Sequence, residues 1–268
     1  MVVSWDSEET LDGCLTRLRG AEGVAEIRVV DCGSTDSTLT IVQRHAVADS
    51  RFHFIANPDP PGLGAARNQG IADCRAPWLA LLDAGCLIEP DALARLRDLA
   101  ARYNALVGAD LADESGVRDP AARLDAGRGG PAGWWRWLEL APAVATHEEV
   151  QDVAAVSGAV MVLPRVLFDT LNGFDPALAT GIANLDLCRR ARASGVRIAC
   201  ANAVRVTHVR GMLARTHPVH LIWHRRFDAS RFLWRRGSKA SALLAWPRIW
   251  VGFPLDLLRV LARVGSAP

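Results

Sequence analysis

The sequence predicts an α/β fold, a mostly parallel sheet covered by helices with a basic helical extension at its end. Three observations predict it. Over the first hundred residues, short apolar runs alternate with helical patterns, the βαβ signature of a parallel sheet. Two of those runs end on a carboxylate, Asp31 and Asp83, at the strand ends where such sheets bind ligands. A chain of 268 residues, 50% hydrophobic and 22% charged, can bury the core of one large domain or two small ones. The same composition excludes a disordered chain, collagen and a disulfide-dense miniprotein.

Val2-Val3-Ser4 is a very short first strand, and Ser7 caps a helix over Glu8 to Arg19. Glu26 to Asp31 is the second strand. After the turn at Cys32-Gly33-Ser34, Ser34 or Thr35 caps a helix running to His45. Phe52 to Ala56 is the third strand, and Gly62 to Asn68 opens a helix that reaches Cys74. Trp78 to Asp83 is the fourth strand, a helix runs from Pro90-Asp91 to Tyr103, and Ala105 to Gly108 is the fifth strand. Asp110 to Pro131, rich in Asp, Arg, Gly and Pro, reads as an insertion or mobile loop. Trp134, Trp135 and Trp137 cannot all face one core, so at least one packs on a ligand, a partner or another segment. Val153 to Leu163 is an apolar strand and Phe168 to Phe174 a short helix. Leu185 to Ser194 is a helix closed by Gly195. Val196 to Cys200 and Val204 to His208 are two short strands, and from Pro218 onward the chain is helical and basic.

The six cysteines are spread singly without a C-x-x-C pair, which reads as buried free thiols of a reducing compartment. The N-terminus lacks the basic and apolar regions of a signal peptide. The hydrophobic stretch Ala240 to Val264 is interrupted by prolines and charges, short of the ~20 apolar residues of a membrane span. The expected location is cytoplasmic.

Gly62-Leu63-Gly64-Ala65-Ala66-Arg67 could pass for a dinucleotide fingerprint. It follows the third strand rather than the first, however, and carries Arg67 where the third glycine belongs, which argues against a nicotinamide oxidoreductase. A glycine turn into a helix N-terminus, with a guanidinium one turn in, suits a diphosphate instead.

Taken in order, the motifs resemble those of family 2 glycosyltransferases. Val3-Ser4-Trp5-Asp6-Ser7 resembles the opening V-S-[YW]-N-S, and Val29-Val30-Asp31-Cys32-Gly33-Ser34-Thr35-Asp36 follows V-V-D-N-G-S-T-D. The segment 62–70 follows G-x-G-x-A-R-N-x-G, and Asp83-Ala84-Gly85 stands at the D-x-D position. Ser157-Gly158, Gly173-Phe174-Asp175, the helix containing Asp186 and Val206-Thr207-His208 complete the set over residues 1–211. The likeness is greatest to the branch containing bacterial rhamnosyltransferases of surface polysaccharides.

The resemblance implies a GT-A fold and inverting transfer of a sugar from a nucleotide-diphosphate donor to a polysaccharide or lipid-linked acceptor. It divides residues 1–211 into a nucleotide-sugar half (1–108) and an acceptor half (109–211), with 212–268 as a basic amphipathic tail. Asp31 would bind the base, Trp5 stack near it, and Gly64 and Arg67 hold the diphosphate. Asp83 would bind ribose or a divalent cation, Mg²⁺ or Mn²⁺, with His208 as a second metal contact. Two departures stand out. Gly85 replaces the second carboxylate of D-x-D, and Ala183-Asn184 replaces the Glu-Asp whose Asp is the family's general base. An amide cannot accept that proton at neutral pH, which leaves Asp186, two residues on, as a substitute. The alternative function is a degenerate member that binds nucleotide sugar or glycan as a scaffold.

The net charge of +2 conceals a division. Residues 1–200 hold 19 Lys and Arg against 27 Asp and Glu, a net of −8, and residues 201–268 hold 12 against 2, a net of +10. Trp223, Phe227, Phe232, Trp234, Trp246 and Trp250 interleave the basic part. A basic, aromatic helical tail predicts attachment to the inner face of a membrane, and no nucleic-acid-binding motif accompanies the charge.

Overall fold

A computed structural model describes residues 1–119, 122, 146–209, 211–236 and 239–264. Trp134, Trp135 and Trp137 lie outside the described residues.

The first half alternates as the sequence predicts: β1 (Val2–Ser4), α1 (Glu8–Arg19), β2 (Ile27–Cys32), α2 (Thr38–Ala48), β3 (Phe52–Asn57), α3 (Leu63–Ile71) and β4 (Trp78–Asp83). β3, β2, β1 and β4 lie side by side and parallel, so Ser4 pairs with Asp31 and Val3 with Asp83 at one edge. A two-residue strand, β5 (Cys86–Leu87), precedes α4 (Ala92–Tyr103) and β6 (Ala105–Ala112).

The second half departs more from the pattern. The apolar run 153–163 is not one strand. β7 (Val150–Asp152) ends before it and β8 (Val160–Pro164) occupies only its end. β8 runs antiparallel between β4 and β6, so the sheet is mixed there. After α5 (Arg165–Thr170) and α6 (Ile182–Ala193), the two expected strands are one, β9 (Arg197–His208). Its register against β6 slips between Ala109 and Asp110, whose partners are Ala201 and Arg205, so residues 202–204 bulge without ending the strand. β6 also outruns its expected end. Asp110, expected in a loop, is buried in the strand between Arg118 and Arg205.

α2 starts at Thr38, later than expected. The Ser34 hydroxyl points to Asp31 and the Asp36 carboxylate accepts from the amide of Thr38, so neither Ser34 nor Thr35 caps it. α1 has its expected bounds, with the Ser7 hydroxyl bonded to the Trp5 carbonyl instead of to the helix. All six cysteines are buried free thiols, and burial pushes Cys14 and Cys32 up to about 12.

One face of the sheet is covered by α1, α2 and α4 through Leu11, Val42 and Leu96. The other carries α3, α5 and α6 through Ile71, Phe168 and Leu187. Beyond α7 (Met212–Thr216), three helices follow: α8 (Pro218–Arg236), α9 (Lys239–Val251) and α10 (Phe253–Val264). α8 and α9 bury Ala229, Phe232, Leu233, Ala242 and Ala245 in the core shared with α6. On α8, Asp228 is buried and accepts from both the amide and the hydroxyl of Thr180, each at 2.7 Å, while Arg235 reaches Asp175 at 2.8 Å. Among the described residues no helix is long and apolar enough to cross a membrane.

Candidate active site

A cavity of about 370 Å³ opens at the carboxyl edge of the parallel strands. Trp5 follows β1 into its wall, Asp83 ends β4, His208 ends β9, and Asn184 lies in the first turn of α6. Further parts of the wall come from the start of α3, from residues 179–181, from Leu213 and Ala214 on α7, and from His220 and Leu221 on α8. The basic extension therefore builds part of the cavity.

Arg67, expected to hold the diphosphate, is absent from the cavity wall and instead ties together two of its residues, Asp83 and Asn184. Its side chain is fully buried, with the guanidinium 5.3 Å over the Phe174 ring. It donates to Asp83 Oδ1 at 3.2 Å, to the Gly158 carbonyl at 2.9 Å and to Asn184 Oδ1 in a short contact. Burial pulls its pKa down and Asp83 pushes it back up, and an arginine stays charged through such a shift. Asn184, 8% exposed, thus spends its amide oxygen on Arg67.

Asp83 keeps its other oxygen free for chemistry, and 42% of its side chain is exposed. Oδ2 lies 4.0 Å from His208 Nε2. His208 Nδ1 lies 3.3 Å from Asp119 Oδ2. A carboxylate on Nδ1 favours the tautomer whose Nε2 lone pair faces outward, the state that ligates a cation. One carboxylate oxygen and one imidazole nitrogen facing each other suit Mg²⁺ or Mn²⁺. Among the described residues no three His, Cys, Asp or Glu side chains gather into a cation site. Gly85, at the expected second carboxylate position, has a tertiary cause. A Cβ there would sit 2.6 Å from the Val209 carbonyl, against the main chain of the strand that carries His208.

Several expected site residues stand elsewhere. Asp31 is buried beside the cavity and absent from its wall. Ser4 and Ser34 hydroxyls donate to its Oδ1 and the amides of Gly33 and Ser34 to its Oδ2, which fills the four lone-pair sites of a carboxylate. In this arrangement it shapes the loop after β2. Gly64 is also outside the wall. A Cβ on it would meet the Asp175 carbonyl at 2.4 Å, so the glycine admits the 175–179 loop. The α3 amides expected to meet a diphosphate are taken, Leu63 donating to the Ala179 carbonyl and Gly64 to that of Leu178. Asp186 is 1% exposed and bound to Arg190 at 2.6 Å, one turn along α6 and away from the cavity wall. It braces the helix and does not face the site as a base. α6 begins three residues earlier than expected, and that phase brings Asn184 to the cavity.

Trp5 lines the cavity, but one face of its ring is covered. His217 stacks on it at 3.6 Å between centroids and 15° between planes, and His220 meets it edge-on at 4.6 Å. Asp6 Oδ2 lies 2.9 Å from His217 Nε2 without hydrogen-bond alignment. Burial, then His224 and His217, pull His220 down to about 4. The sequence reading missed these histidines. His220 and His224 lie one turn apart on α8 with His217 just before its start, and that clustering of histidines in the chain was the available signal.

The sequence profile of Glycosyl transferase family 2 matches residues 1–168. Succinoglycan biosynthesis protein ExoO of Rhizobium meliloti (strain 1021) is 34% identical over 114 residues, 42% of this chain and 32% of that protein. The chain spans about a third or less of the length of the curated relatives it matches. Among solved structures, S. aureus TarS 1-349 in complex with UDP-GlcNAc aligns with a TM-score of 0.61 at 16% identity, over 95% of this chain and 70% of that one. The mannosyltransferase PcManGT from Pyrobaculum calidifontis, in complex with GDP-Man and Mn²⁺, aligns at 0.60 and 17% identity, over 100% and 74%. At such identities the likeness establishes the fold, and that fold is GT-A, as the motifs predict.

Proposed function

Because the chain belongs to glycosyltransferase family 2, we propose that it is a transferase moving a sugar, with inversion, from a nucleotide-diphosphate donor to a surface-polysaccharide or lipid-linked acceptor. One observation carries the reading: a single cavity unites Asp83 Oδ2, His208 Nε2, Trp5 and Asn184 at the carboxyl edge of the sheet. Related folds bind UDP-GlcNAc, or GDP-Man with Mn²⁺, which supports a nucleotide-sugar donor here. Residues 1–108 supply the donor half and 109–211 most of the acceptor half, with α8 closing both.

In the transfer, an acceptor hydroxyl oxygen bonds to the anomeric carbon. The bond from that carbon to the diphosphate oxygen breaks, its electron pair stays on the diphosphate, and the hydroxyl proton leaves. Asp83 and His208 would hold a divalent cation, which when bound supplies positive charge to the diphosphate. Arg67 fixes one oxygen of Asp83 and leaves the other toward the cavity. Asn184 holds its position through Arg67 and takes no proton, so the proton passes to water or the acceptor's own groups. A missing general base commonly costs ~10²–10⁴ in rate.

The test is sugar transfer by the purified chain with a panel of UDP-, GDP- and dTDP-sugars, Mg²⁺ or Mn²⁺, and a membrane acceptor fraction. Asn184→Asp is expected to accelerate transfer at least tenfold. Donor binding without transfer or hydrolysis by either protein overturns the proposal. The Arg67 lock on Asn184 favours one alternative, a binding protein without turnover. Turnover by the unmodified chain that Asn184→Asp does not exceed excludes it.

The extension also suits a membrane surface. Trp223, Phe227, Trp246, Leu244, Leu255 and Leu258 are exposed, and the segment is strongly basic. A protein held on the inner face of a membrane would meet a lipid-linked acceptor there. Sedimentation with anionic vesicles tests this, and loss of binding on changing Leu255 and Leu258 to Ser is the expected result.

A further inference from the structure

A second cavity, of about 650 Å³, adjoins the first and shares Ser157, Thr180, Gly181, Asn184 and Leu221 with it. The two meet at the position where the family carries its base. Two arginines of α8 line the second cavity. Arg226 is fully engaged: Nε donates to the Ile249 carbonyl at 3.1 Å, Nη1 to the Ile222 carbonyl at 3.2 Å and Nη2 to Asp256 Oδ2 at 2.5 Å. Its guanidinium also lies 5.4 Å from the Phe253 ring centre. The two carboxylates in the wall are engaged as well. Asp256 is bound by Arg226 and Arg259, and Asp119 faces His208. Arg225 is exposed and has no hydrogen bond or ion pair among the described residues. Among the described residues, Arg225 is therefore the arginine of this wall whose guanidinium has no partner, one shared wall away from the transfer point.

We propose that this second cavity seats the acceptor and that Arg225 binds a phosphate group on it, selecting a phosphorylated glycan over a neutral one. The inference rests on reading the first cavity as the donor site. A guanidinium presents a planar fork of donors that matches phosphate oxygens in pairs, and an unpaired one gives up no internal partner to do so. The phosphate can belong to a lipid carrier or to a soluble glycan, since the chemistry Arg225 recognises is the same.

The experiment uses the full chain with excess UDP and Mn²⁺ to fill the first cavity, and titrates glucose 1-phosphate or glucose calorimetrically. Glucose 1-phosphate is expected to bind and glucose not. Arg225→Gln weakens that binding about tenfold or more, Arg225→Lys retains part of it, and UDP affinity is the same in all three proteins. Equal binding by Arg225→Gln, or no binding by the unmodified chain, overturns the proposal. A parallel arm uses phosphatidylcholine vesicles with and without phosphatidylglycerol. If Arg225→Gln loses vesicle binding but keeps glucose 1-phosphate binding, the residue contacts lipid headgroups and the proposal also falls. A chain that binds no nucleoside diphosphate refutes the donor reading by itself, and the Arg225 comparison is then read without UDP.

Discussion

Replacing Arg67 with Met removes the group that ties three segments together. The guanidinium meets Gly158, Asn184 and Asp83, which lie before β8, in α6 and at the end of β4. The Gly158 carbonyl and the Asn184 oxygen are buried and would lose a charged donor, at ~1–3 kcal/mol each. Asp83 is 42% exposed and can turn to water, so its share is small. Against this, Met fills much of the space, and the change removes the buried charge and the unpartnered Nε. The net loss is about 2–4 kcal/mol, or about 5–15 °C in Tm for a chain of this size. Urea unfolding followed by tryptophan fluorescence measures it. The double variant Arg67→Met with Asn184→Leu should recover part of the loss, because both partners become apolar. A loss below about 1 kcal/mol, or strictly additive losses in the double variant, would refute the account of Arg67 as the shared tie.

Two further outcomes follow from the same geometry. Gly64→Ala should destabilise by ~1–3 kcal/mol despite alanine's better helix propensity, because its Cβ would press on the Asp175 and Leu178 carbonyls; an unchanged melting temperature would mean that the 175–179 loop yields freely. His220 makes stability depend on pH. Its pKa is about 4 when folded against an ordinary 6.5, so between these limits the unfolded chain binds a proton that the folded one refuses. The contribution is complete above the upper value, declines as pH falls and reaches its full loss, at most about 3 kcal/mol, below the lower one. The ring faces Trp5, His217 and His224, with Asp6 behind His217, and solvent screening reduces the figure. Urea midpoints at neutral pH and about pH 5 should differ less for His220→Gln, and an equal slope in both proteins would reject the assignment.

The alternation of β1 to β4 with α1 to α3 was legible because each element writes its own period into the chain, and the bounds of α1 and β4 agree to the residue. The edge position of Asp83 was legible for the same reason, since a strand end is a local feature. Errors gathered where local pattern competes with distant partners. The apolar run 153–163 has the composition of a strand, yet only its last part finds a place between β4 and β6. Asp31 and Asp186 have the right chemistry for a site, but their oxygens are claimed by Ser4 and Ser34 and by Arg190. The glycines at 64 and 85 looked like phosphate-loop and lost-ligand positions, and the structure gives both to close main-chain contacts.

By itself the sequence determined the family, the sheet and the strand-end position of Asp83, and the division of charge between body and tail. Tertiary structure alone decided that the tail is part of the cavity wall, that His217 covers Trp5 and that, among the described residues, Arg225 is left without a partner while Arg226 is not. Hydrophobic periodicity is a property of neighbours in the chain, so it can be read from the chain. The pairing of donors with acceptors is a property of neighbours in space, and Arg67 finds Asn184 across 117 positions.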